Sequence, residues 1–120
     1  MSIFDKNIHH PLEELYDACK DVASHVIPMN LMHYNAGCGA MRADIIRELK
    51  EIGLFQPMTP NKIAEVIVEQ SEYIRRIPTF KIQFIYTEEV EMFDGLPLYS
   101  KVSTLCEFTV GINGIIYESI

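Results

Sequence analysis

Gln70, Ser71, Tyr73, Arg75 and Arg76 stand close together in the chain, with Lys81 shortly beyond them. Arg and Gln side chains can pair with base edges, and Ser, Tyr and Arg can hold phosphate oxygens. The set is a candidate surface for duplex DNA if one element presents it to one side. Other groups capable of chemistry are sparser. Cys38 lies near the expected start of a helix, in Asn35-Ala-Gly-Cys-Gly-Ala-Met-Arg42. Free amides at a helix start attract anions and stabilise thiolates, and Arg42 could add charge. The stretch lacks both the preceding strand and the lysine of a phosphate-binding loop. A nucleophilic Cys38 would need His25 or His33 as a base within hydrogen-bond reach, which spacing does not establish. His9, His10, His25, His33 and the cysteines match no zinc spacing. Glu88-Glu89-Val90-Glu91 has no basic or hydroxyl partner in sequence and reads as a solvated strand face that discourages edge pairing. These residues imply no catalysis, no cofactor and no metal.

With 120 residues the chain is read as one domain, large enough to bury a core without disulfides or metals. No apolar run is long enough to span a membrane, and the start Met-Ser-Ile-Phe-Asp-Lys lacks the apolar core of a signal peptide. Three widely spaced cysteines, Cys19, Cys38 and Cys106, do not form a disulfide framework, and Cys19 and Cys106 are expected in the core. The cytosol is the expected compartment. A net charge of −7 weighs against nucleic acid, because phosphate binding usually leaves a basic footprint. The charge is too modest and too evenly spread for a DNA mimic.

The elements that would position these groups follow from periodicity. Leu12, Leu15, Tyr16, Cys19, Val22, Ala23 and Val26 recur at helical spacing, predicting a helix over 11–27 that Pro28 stops. Residues 29–40 read as a loop. Met41, Ile45, Leu49 and Ile52 predict a second helix over 41–53, with Gly53 just past its end. Thr59 and Pro60 suit the cap and first position of a third. From Thr79 the period changes. Phe80, Ile82, Phe84 and Tyr86 would share one strand face, and Leu98, Val102, Cys106, Phe108 and Val110 another. Asp94-Gly95 and Asn113-Gly114 are hairpin signals, and 115–117 a short last strand. Helices followed by an antiparallel meander indicate an α+β fold with three or four N-terminal helices.

Within 59–77, Ile63, Ala64 and Ile67 can form the inner face of one short helix. Ser71 can cap a second, anchored by Ile74 and Ile77. One straight helix over 60–77 aligns the same residues equally well, since Ile63, Ile67, Gln70, Ile74 and Ile77 alternate spacings of four and three. Asp44-Ile-Ile-Arg-Glu-Leu-Lys-Glu-Ile-Gly53, then Met58-Thr-Pro-Asn-Lys-Ile-Ala64, then Tyr73-Ile-Arg-Arg76 resembles the winged helix-turn-helix domain of small bacterial and phage regulators. The resemblance covers residues 41–104, leaving 1–40 as an N-terminal helix and loop and 105–120 as C-terminal strands. It implies a non-enzymatic transcription regulator, a homodimer that binds duplex DNA through Gln70, Ser71, Tyr73, Arg75, Arg76 and Lys81.

Val68 and Glu69 stand where such a motif carries Gly and an apolar residue, and Pro78 would end the recognition helix early. The second reading is an acidic protein-interaction module or inhibitor that binds no DNA. A third is a ligand-binding or thiol-dependent protein using the Gly37–Arg42 loop.

Overall fold

The computed structural model describes residues 11–34, 37–74, 77–89, 92–93, 96–97 and 101–120. The architecture is α+β. Helix α1 spans Pro11–Met29 and α2 spans Cys38–Glu51. Strands β1 (Ile63–Ile74), β2 (Ile77–Thr87), β5 (Val102–Gly111) and β6 (Gly114–Ser119) form an antiparallel sheet in the order β1-β2-β5-β6. Between β2 and β5, the short strands β3 (Met92–Phe93) and β4 (Leu96–Pro97) pair with each other, flanking the expected turn at Asp94-Gly95, itself outside the described residues. No described helix is long and apolar enough to cross a membrane.

Both helices lie on one face of the sheet, α1 over β5 and α2 over β1, and they also contact each other. Leu15, Cys19, Val22, Ala23 and Val26 of α1 are buried, as their helical spacing requires. Met41, Ile45 and Leu49 of α2 meet them, while Ile52, expected on the same stripe, lies past the helix end and is exposed. Gly53, at φ 75°, turns the chain away after α2. Phe80, Ile82 and Phe84 of β2, with Cys106, Phe108 and Val110 of β5, supply the sheet's side of the core. Phe108 sits between Phe84 and Tyr16, its ring centroid 6.0 Å and 5.7 Å from theirs. Burial, with Glu118 nearby, pushes the Tyr16 hydroxyl up to about 12. The thiol of Cys19 is pushed up by burial and by its contact with Cys106.

The first helix runs past Pro28 and widens into a π-helical turn, Asn30–Tyr34, where a loop was expected. Pro28 lacks the amide hydrogen that would bond back to the carbonyl of residue 24, yet the helix continues through it. The buried Asn30 ties this turn down, its Nδ2 donating to the Val26 carbonyl at 2.9 Å and to Asp44 Oδ2 at 3.0 Å.

The third helix is the main correction. The described residues between 59 and 77 form neither one helix nor a helix-turn-helix, and the described chain has two α-helices where three or four were expected. Thr59 lies in a turn, donating its amide to the Gln56 carbonyl and accepting from the Lys62 amide. Met58 and Asn61 have φ values of 68° and 64°, which no right-handed helix tolerates. From Ile63 the backbone is extended. A bulge between Ile63 and Glu65 shifts the strand's phase, so Ile63, Val66 and Val68 all face the core. The spacing of three then two imitates a helical stripe in the sequence. Val66-Ile-Val68 is β-branched throughout, and such side chains lose rotamer freedom on a helix but pack well on a sheet.

A second bulge, where β2 meets β5, removes Val102 from the face holding Cys106, Phe108 and Val110. Val102 is exposed, contrary to expectation, and Leu98 lies outside the described residues. The turn at Asn113-Gly114 joins β5 to β6 as expected, with Gly114 at φ 108°.

Candidate interaction edge

Of the candidate DNA-contact residues, those described lie on strands β1 and β2 and not on a recognition helix. Gln70 is exposed on β1 opposite Phe80, and Ser71 is half-buried opposite Thr79. Tyr73 falls on β1, with its side chain outside the description. Arg75 and Arg76 lie outside the described residues, between the two strands. Lys81 is exposed on β2, opposite Glu69 in register, and its Nζ is 3.4 Å from Glu107 Oε1. Its charge is therefore partly answered within the sheet.

The stretch Gly37–Arg42, expected to be mostly loop, is the cap and first turn of α2, which begins at Cys38. Arg42 Nε donates to the Val66 carbonyl at 2.7 Å, so its guanidinium is directed to a strand. Cys38 is half-buried against the core. Among the described residues, no group of three His, Cys, Asp or Glu side chains could hold a metal. His25 joins the two helices through Glu48, Nε2 to Oε1 2.6 Å.

What distinguishes the sheet is the contrast between its two edges. An edge strand presents backbone donors and acceptors that a further strand can pair with. The β1 edge is closed over its first half. Ile63 donates its amide to the Leu54 carbonyl at 2.8 Å and accepts from the Gln56 amide at 2.9 Å. Arg42 occupies the Val66 carbonyl next along. Beyond Val66 the strand carries the exposed Glu69, a charge that opposes an added strand.

The β6 edge has no such cover among the described residues. Among the described residues, no hydrogen bond reaches its outer side, while its inner side pairs with β5 from Gly111↔Gly114 to Glu107↔Ser119. Ile115 packs against the core, but Ile116 is 40% exposed, and Tyr117 and Ile120 are each 63% exposed. Ile115, Ile116 and Tyr117, with Ile77 and Ile112, line a shallow cleft of about 410 Å³ at the Gly114 end of the strand. Gly111 keeps the cleft floor low, since a Cβ there would sit 3.3 Å from Ile116 Cδ1. The strand's single charge, Glu118, is held on the helix side, its Oε2 2.9 Å from Lys20 Nζ. Sequence reasoning identified the strand but not its place at the sheet edge, because periodicity does not reveal which strand lies outermost.

The fold thus defines a two-helix layer on one face of a four-stranded antiparallel meander. No family model, no curated protein and no solved structure matches this chain.

Proposed function

We propose that this chain is a non-catalytic protein-interaction module that takes an extended protein segment along the edge of β6. The carrying observation is the contrast between the two edges among the described residues: the first half of β1 is capped by Leu54, Gln56 and Arg42, while β6 is uncapped and flanked by Ile116, Tyr117 and Ile120. Strand addition draws affinity from main-chain hydrogen bonds and specificity from alternate side chains. Exposed apolar residues beside an unpaired edge suit that mode. The expected homodimer remains part of this reading, with a sheet edge as its reason in place of two operator half-sites.

The test is selection of extended peptides from a random displayed library, repeated on Tyr117→Lys. Peptides that bind the parent, fail on the variant and shift the amide resonances of residues 114–119 are expected. Peptides that bind both equally and shift resonances elsewhere would sink the reading.

DNA binding is the second reading, favoured by one feature. The β1–β2 ribbon is long, it exposes Gln70 and Lys81, and its connection contains Arg75 and Arg76. Ribbons of this kind can enter a DNA groove. Glu69 and Glu107 beside Lys81 weigh against it. If Arg75→Ala with Arg76→Ala leaves DNA affinity and its salt dependence unchanged, this second reading fails.

A further inference from the structure

Within that interaction reading, we infer that the segment pairing with β6 is β6 of a second copy, joining two sheets into one eight-stranded antiparallel sheet. The inference rests on the proposed role of the β6 edge and adds the identity of its occupant.

Three observations carry it. The first is closure. Among the described residues, β6 is uncapped along its length and weakly charged, whereas β1 is capped at Ile63 and Val66 and carries the exposed Glu69 beyond. Two copies meeting edge to edge consume both open edges and leave the β1 edges outermost. A two-fold pair of this kind is closed and does not grow into a fibre. A partner with an open edge on its other side would extend the array.

The second is register. Antiparallel pairing across a two-fold axis perpendicular to the sheet places one residue opposite itself. Tyr117 is the natural centre. It faces Thr109 across β5–β6, on the side of the sheet away from the helices, and is largely exposed. Centring there puts two tyrosines side by side, a favourable cross-strand aromatic pair. The same register places Glu118 opposite Ile116 of the second copy, so the two glutamates do not face each other.

The third is local charge. The net charge of −7 opposes self-association in general, yet β6 carries only Glu118, and Lys20 of the same chain neutralises it. The repulsion expected between two acidic chains is therefore weak at this edge. The exposed Ile112, Ile116 and Ile120 lie beside it and would be covered.

Sedimentation equilibrium of the full chain tests the inference. A mass of twice 13.8 kDa is expected. Tyr117→Lys sets two ammonium groups face to face at the axis and should weaken the dimer by about tenfold or more. Met58→Ser, at the opposite end of the sheet, should leave it unchanged. Tyr117→Cys in a Cys38→Ser background should cross-link to a covalent dimer under mild copper-phenanthroline oxidation, whereas Met58→Cys in that background should not. A monomer at every soluble concentration overturns the inference, as does a dimer indifferent to Tyr117→Lys. If the chain is monomeric but library peptides still require Tyr117, the second copy is wrong and the edge role stands. A Tyr117-dependent dimer in a chain whose selected peptides bind elsewhere separates the two in the other direction.

Discussion

Arg42 of α2 donates its Nε–H to the carbonyl oxygen of Val66 on β1, across 2.7 Å. This one bond links a helix to the sheet edge and closes an acceptor that another strand could use. Arg42→Ala should lower stability by about 1 kcal/mol, modest because the arginine is exposed. It should also promote higher assemblies by opening a second edge. Urea unfolding reads the first effect and light scattering the second. An unchanged scattering profile would show that Arg42 does not guard this edge.

The bond between His25 and Glu48 makes the α1–α2 contact sensitive to pH. Burial lowers the His25 pKa, but the hydrogen bonds to Glu48 and the Asp21 carbonyl outweigh it and hold the value above 6.5. A group with a raised folded-state pKa contributes stability that is fully present below its unfolded value and is lost as pH rises through the folded value. The urea midpoint should therefore fall as pH rises above 6.5, with other titrations held in common. His25→Gln should flatten that slope, and a parallel slope in both proteins would refute the assignment.

Phe108 anchors the sheet to α1. It is fully buried between Phe84 and Tyr16. Phe108→Ala should cost about 3–5 kcal/mol, combining lost transfer energy with an unfilled cavity. Phe108→Leu should recover most of that loss. Thermal unfolding of the pair measures the difference, and an equal loss in both would mean that volume is not what the site requires.

Met58 holds a left-handed backbone at φ 68° with its side chain 80% exposed. The strain has no compensating burial. Met58→Gly should stabilise the protein by about 1 kcal/mol, after the extra freedom of glycine in the unfolded chain is deducted. Chemical denaturation would expose an error as a neutral or destabilising change. Asn61, in the same region of backbone space, should gain less from glycine, because its short amide tolerates that conformation.

Much of the helical layer was legible from residue spacing. The stripe from Leu15 to Val26 is continuous, and Gly53 marks the end of α2. The alternation Phe80, Ile82, Phe84 survives because no bulge interrupts that part of β2. The burial of Cys19 and Cys106 followed from the same patterns. The candidate site was far less visible. Gln70 and Ser71 were assigned to a helix with Lys81 on the strand after it, and the extended backbone places Gln70 and Ser71 on a strand as well. The bulge after Ile63 shifts the phase by one residue, so a strand acquired a helix-like spacing.

The sequence by itself determined the local features: the two amphipathic helices, the alternation in β2, the Asn113-Gly114 turn and the composition of the core. Each depends on residues close along the chain, where periodicity and backbone preference act directly. Tertiary structure alone decided that residues 63–74 are a strand, since β2 supplies its hydrogen-bond partners. It also decided that Arg42 serves Val66, and that among the described residues β6 is uncapped where the first half of β1 is closed. An edge is defined by a neighbour that is absent in space, and no local pattern of side chains encodes that absence.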